Sequence, residues 1–168
     1  MFVLWLVACA VGGSRAEAPP QTELEAPTRP KTHWVERTDL ELEAALQSAC
    51  REAIGDGKLV LLEFSAPWCA DCQKLATLKP QLADELDQHW VGVTAYVGKW
   101  DRHGLFRQAF GVEGIAWWVA LEPTDCDAPP PDWPRRRAGV LELATGNSGP
   151  RTAKDVKLWL VEARSGTP

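Results

Sequence analysis

At 168 residues, 45% of them hydrophobic, the chain has room for one domain and some additional segments. Its net charge of −5 argues against a nucleic-acid surface; the only basic run, Arg135-Arg136-Arg137, lies in a Pro-rich stretch and reads as a solvated loop rather than a phosphate site. Nine tryptophans follow no common spacing, which fits core and half-exposed packing better than a ligand cage.

The first eleven residues, MFVLWLVACAV, are almost wholly apolar, but a bilayer-spanning helix needs roughly 20 such residues. The length suits the apolar region of an export signal, expected over residues 1–18. Leu6-Val7-Ala8-Cys9 resembles the lipobox of bacterial lipoproteins, which implies acylation at Cys9, although no Lys or Arg precedes the apolar run. An ordinary signal peptide or anchor and a buried N-terminal segment are the alternatives. Residues 19–33, rich in Pro and Glu, read as an extended tether. The folded domain is expected over 34–165, with a Pro-rich loop at 122–137.

Thr38 or Asp39 caps a first helix, whose apolar face comprises Leu40, Leu42, Ala45, Leu46, Ala49, Ala53 and Ile54 before Gly55 and Gly57 end it. LVLLEFS follows, a continuous apolar run of strand length that reads as buried on both faces. A helix opening at Cys69-Ala70-Asp71-Cys72 is expected to reach Leu78, and Pro80 restarts it through Leu86. VGVTAYV is a second strand, LFRQAFGV a short helix, GIAWWVALE a third strand, GVLELAT a fourth, and TAKDVKLWLVEARS a closing amphipathic helix. This order predicts an α/β sandwich: a mixed central sheet with a parallel pair, a later antiparallel hairpin and helices on both faces. The C-terminal end of the first buried strand, where the cysteine pair sits, is the expected functional end.

A closed zinc site needs four ligands. Only one C-x-x-C is present, and His33, His89 and His103 are scattered singly, each expected at the surface, so no metal site is expected. A bridge closing so short a loop adds little stability as a staple. Redox work fits better. At a helix N-terminus, Cys69 meets unpaired backbone N–H groups that favour its thiolate, and Cys72 lies one turn on, able to attack a mixed disulfide at Cys69. Glu63, a lone carboxylate in an apolar strand, is expected to be desolvated with a raised pKa and to accept the proton of Cys72; a surface position at the strand edge is the alternative.

LVLLEFSAPWCADCQKL resembles the thioredoxin superfamily, with a buried strand, an acid six residues before the first cysteine, and W-C-x-x-C on a helix. FGVEGIAWW is similar to the segment carrying that family's cis-proline loop. The resemblance covers about residues 34–164 and implies a thioredoxin-like three-layer sandwich, most similar to bacterial envelope domains such as the C-terminal domain of thiol:disulfide interchange reductases. It implies Cys69 as nucleophile, Cys72 as resolving thiol and Glu63 as the buried acid, with Trp68 shielding the disulfide. Ala70, Asp71, Ile115, Ala116 and Trp117 form the active-site surroundings.

Ala116 stands at the cis-proline position. Because a cis bond before a non-proline residue costs about 2.5–4 kcal/mol, a trans Ile115–Ala116 bond is expected, which puts the usual substrate groove and the exclusion of metal in question. Asp71 beside the thiolate favours a reducing couple. The expected function is therefore a protein-disulfide reductase of the cell envelope. It would need no cofactor beyond its Cys69–Cys72 disulfide and would work with disulfide-bearing protein substrates and an upstream electron donor. Nucleic acid is not an expected partner, and membrane contact would come only through an N-terminal lipid anchor. A metal-handling or non-catalytic binding module is the alternative.

Three cysteines lie outside the motif. Cys50, late in the first helix, and Cys126, just after the third strand, are both expected at the end of the sheet opposite the motif, close enough to pair. The alternative is a buried Cys50 and a free loop thiol at Cys126. Cys9 is left for the lipid.

Overall fold

The computed structural model describes residues 34–140 and 152–166. The export segment, the tether, Cys9, His33 and most of GVLELAT lie outside the described residues.

Helix α1 spans Asp39–Asp56. The Thr38 side chain accepts the Glu41 backbone N–H, and the Glu41 carboxylate accepts the Thr38 N–H at 2.7 Å, so two otherwise orphan donors are satisfied together. Leu42, Leu46, Ala49, Cys50 and Ala53 form its buried face. Leu40 and Ile54, expected on that face, are instead exposed at 79% and 52%. Leu40 falls two residues before Leu42, nearly opposite it around the helix, and Ile54 lies a residue past Ala53.

Strand β1, Leu59–Ser65, is central and almost wholly buried. Helix α2, Ala70–Leu78, continues through a 3-10 turn, Lys79–Leu82, into α3, Ala83–His89. Pro80 lacks an N–H and therefore sits in the tighter turn rather than inside either helix. Strand β2, Trp90–Tyr96, pairs parallel with β1; after α4, Gly104–Ala109, strand β3, Trp117–Leu121, pairs antiparallel with β1 on its other side. Strand β4, Arg135–Val140, pairs antiparallel with β3, and α5, Ala153–Ser165, closes the described chain. The sheet order is β2-β1-β3-β4.

The alternation of β1 divides the core. Val60, Leu62 and Phe64 face one cluster with α1, Phe106 and Phe110; Leu61 faces the other with Cys72, Leu75, Leu78, Trp118, Val156, Trp159 and Leu160. The result is three layers, with α1 and α4 on one face and α2 and α5 on the other.

The fourth strand starts earlier than expected. The arginine triplet belongs to β4, not to a solvated loop. The partners that make this possible come from elsewhere in the chain: the Arg135 guanidinium lies over Phe110, Arg136 pairs with Glu122, and Arg137 pairs with Glu162 while covering Trp159. Long stems and paired guanidinium groups thus cover the outer strand of the described sheet. Within 122–134, a short 3-10 turn at Pro130–Asp132 leads to Trp133, which is buried and donates to Ala128 O.

Candidate active site

The Cys69–Cys72 pair stands where β1 hands over to α2. Cys69 is the N-cap residue of α2, in extended conformation, and its Sγ accepts the Cys72 backbone N–H at 3.1 Å. A thiolate there is stabilised by that N–H and by the positive end of the helix. The two cysteines are disulfide-bonded, with Cα atoms 5.2 Å apart. Cys72 is completely buried and Cys69 is 6% exposed, so the outer sulfur belongs to Cys69, as expected, but is more covered than an open surface thiol. Ala70 is exposed and Asp71 half-buried on the first turn.

Trp68, 48% exposed, is tied down from outside the motif. Its indole Nε1 donates to Gly98 O at 2.7 Å, and its ring lies 6.4 Å from that of Trp100. The loop holding Trp100 is braced in turn. Asp101 accepts the Lys99 N–H, which holds its carboxyl below the ordinary value, and Arg107 lies over the Trp100 ring while donating to Trp100 O. Gly98 takes a positive φ of 62°, and a Cβ there would meet Asp101 Oδ1 at 2.1 Å, so this turn requires glycine.

Glu63 is 3% exposed within β1 and is not a strand-edge surface residue. Its Oε2 lies 2.5 Å from Lys79 Nζ. Glu63 and Leu61 share one face of β1, the face covered by α2 and its two cysteines. Burial penalises the carboxylate, and the ammonium offsets that penalty. Lys79 was not singled out by the motif. Its signal was spacing: seven residues after Cys72, two turns along, it returns to the same side of the helix.

The Ile115–Ala116 peptide is cis, not trans as expected. The expectation weighed only the average preference of a non-prolyl bond, whereas Ala116 is fully buried in the cluster that holds Cys69 and Cys72, where packing sets the backbone path. Ile115 packs against both core clusters, and Trp117 is half-buried on the α1 side.

His103 corrects another expectation. It is 3% exposed, with Nδ1 2.7 Å from Asp39 Oδ1 and its ring edge-on to Phe106. A singly placed histidine found its partner 64 residues away, at the start of α1. Among the described residues, no group of three or more His, Cys, Asp or Glu side chains is arranged to hold a metal ion. Cys50 and Cys126 are disulfide-bonded, with Cα atoms 5.6 Å apart, beyond the β3 end that pairs with the start of β1.

The sequence model of the thioredoxin family matches residues 42–115. A thioredoxin from Mycoplasmopsis pulmonis (strain UAB CTIP) is 34% identical over 68 residues, 40% of this chain; the match spans 62% of that relative, less than two thirds of its length. Among solved structures, the disulphide isomerase from Xylella fastidiosa Temecula1 superposes with a TM-score of 0.60 at 22% identity, covering 82% of this chain and 98% of that one. The oxidised C-terminal domain of Neisseria meningitidis DsbD does so with a TM-score of 0.51 at 19% identity, covering 77% and 100%. These two likenesses concern the fold. Family match, fold and the placement of C-x-x-C at the head of α2 agree: the chain has a thioredoxin-like fold and is similar to the thioredoxin family over residues 42–115.

Proposed function

We propose that this protein is a thiol–disulfide oxidoreductase that reduces protein disulfides in the bacterial cell envelope. The observation that carries the reading is the asymmetry of the pair: Cys69 Sγ caps α2 and accepts a backbone N–H, while Cys72 lies fully buried one turn on. In the dithiol form, the Cys69 thiolate attacks one sulfur of a substrate disulfide and expels the other as a thiolate, which takes a proton from solvent. Cys72 then gives its proton to Glu63 and attacks Cys69 Sγ. The Cys69–substrate bond breaks, the Cys69–Cys72 bond forms, and the substrate has gained two electrons. A donor dithiol restores the reduced pair by the reverse exchange.

The envelope location is supported by the apolar start of the sequence and by the Cys50–Cys126 bridge, since stable structural disulfides belong mainly to oxidising compartments. Acylation at Cys9, with residues 19–33 as a tether, would hold the domain above a membrane surface. No helix among the described residues is long and apolar enough to cross a membrane.

The test is dithiol-dependent reduction of insulin by the protein lacking residues 1–18, with metal content measured on the same sample. Turnover lost in Cys69→Ser supports the reading. A wild-type protein that carries stoichiometric metal and leaves insulin intact would replace it with metal handling.

A further inference from the structure

The two outer strands of the described sheet are protected very differently. Strand β4 carries Arg135, Arg136 and Arg137, and charged, long side chains discourage pairing with a further strand. Strand β2, WVGVTAY, has neither a charge nor a proline. The chain itself shows which of its backbone groups face outward. Val97 N–H, one residue past β2, bonds to Ser65 O on β1 at 3.1 Å. Alternation then turns the backbone of Val91, Val93 and Ala95 towards β1, and that of Trp90, Gly92 and Thr94 towards the open side. Arg37 agrees with this direction, since its Nη1 donates to Thr94 O at 3.0 Å. Trp90 N–H is likewise used, by Leu86 O at the end of α3. Gly92 N–H, Gly92 O, Thr94 N–H and Trp90 O are left along the edge, and no loop or cap bond among the described residues reaches them.

Beside this edge lies a groove of about 350 Å³, walled by Val91 and Val93 on the strand, by Ala45, Ser48 and Glu52 on α1, and by Arg37. Its charges are ordered along its length. Arg37 precedes α1 and sits at the Thr94 end of β2. Glu52 lies near the end of α1, which leads into the start of β1 and so towards the Trp90 end of β2. Glu52 is exposed and pairs with no cation among the described residues. One end of the groove is therefore positive and the other negative. A second copy rotated by half a turn about Gly92 presents the same two ends in reverse order. Arg37 of each copy then faces Glu52 of the other, a match that two-fold symmetry supplies twice.

We propose that the β2 edge and its groove receive the same surface of a second copy of this chain, the two β2 strands pairing antiparallel about a two-fold axis at Gly92. Gly92 N–H donates to Gly92 O of the second copy and the second copy donates in return. Thr94 N–H donates to Trp90 O of the second copy, again in both directions. The remaining bond of this register, from Trp90 N–H to Thr94 O, is the one whose two groups Leu86 O and Arg37 already satisfy. The two described sheets become one, and the α1 helices lie side by side on one face, where the small Ala45 and Ser48 side chains allow close approach. Because β1 is parallel to β2, the two Cys69 ends point in opposite directions and both stay open to substrate.

The test follows the oxidised full chain in mild detergent by sedimentation velocity over a dilution series, with amide hydrogen exchange read at both ends of the series. A species of twice the monomer mass is expected at high concentration, dissociating on dilution. In it the Gly92 and Thr94 amides should exchange about tenfold more slowly than in the monomer, while those of Val91 and Val93, which face β1, are slow in both. Gly92→Lys sets like charges opposite each other at the axis, and its Cβ meets nothing within 4 Å in the monomer. It is expected to weaken association about fivefold and to leave insulin reduction at the wild-type level. Glu52→Arg should weaken association about tenfold, because it reverses both facing pairs, and adding Arg37→Glu to it should restore association. Monomer mass at every concentration would overturn the proposal. So would a dimer that withstands Gly92→Lys and Glu52→Arg while its Gly92 and Thr94 amides exchange freely, which would place the contact elsewhere. Slow exchange of those two amides in the dilute monomer would overturn it as well, by showing the edge covered within a single chain.

Discussion

Cys69 and Cys72 differ in access, and that difference gives the sharpest residue-scale predictions. Cys69→Ser is expected to abolish insulin reduction, whereas Cys72→Ser should accumulate a mixed disulfide between Cys69 and substrate, seen as a gel-shifted species that collapses on adding dithiol. A bulky alkylating agent should label Cys69 of the reduced protein first; equal labelling of both thiols would contradict the assigned roles. Glu63→Gln should slow resolution mainly near and above neutral pH, where a carboxylate accepts a proton and an amide does not. The type of residue at 63, 69 and 72 was legible from local pattern alone. The contact between Lys79 and Glu63 was not, because nothing in either local stretch tells which lysine turns inward across 16 residues of chain.

At the scale of elements, the entry to α1 and the 97–103 loop each depend on one small device. Thr38→Ala removes the side-chain half of the capping box and is expected to lower stability by about 1 kcal/mol in a denaturant titration. The Thr38 backbone and hydroxyl contacts hold the Glu41 carboxyl below its ordinary value. Its contribution is therefore present above the ordinary carboxylate range and is lost as pH falls through the lowered value. Glu41→Gln should accordingly lower the neutral plateau of a melting-temperature profile slightly and converge on wild type at the acid end, where Glu41 is itself protonated. Gly98→Ala forces a Cβ onto Asp101 in a left-handed turn, so the loop must shift and Trp68 loses its anchor at Gly98 O. Faster alkylation of reduced Cys69 and a raised KM for insulin are the expected signs; unchanged values of both would show that Trp68 holds its place without the loop.

For the whole molecule, the second disulfide is the long-range tie. The Cys50–Cys126 bridge closes a separation of 76 residues, for which the chain-entropy model gives about 4 kcal/mol. Replacing both cysteines with serine should lower the denaturation midpoint by a corresponding amount and leave insulin reduction near wild type, because the bridge lies at the end of the sheet away from Cys69. Peptide mass mapping of the non-reduced protein should recover the bridge directly.

What the sequence by itself determined was whatever neighbouring residues decide: the helix over Asp39–Asp56, the buried strand Leu59–Ser65, their alternation into a layered α/β sandwich, and the C-x-x-C at a helix start. Periodicity, caps and breakers act within a few residues, so they can be read in one stretch. The tertiary structure decided what depends on distant partners. The Trp68 indole meets a carbonyl 30 residues on, and His103 is buried against a carboxylate 64 residues back. Arg135, Arg136 and Arg137 form a strand because aromatic faces and glutamates from other elements receive them. Ala116 adopts a cis bond, against its local preference, at a buried position between β3 and the cysteine helix. Local preferences amount to a kcal/mol or a few per residue, and burial against partners remote in sequence is of the same size, so only the assembled fold shows which prevails.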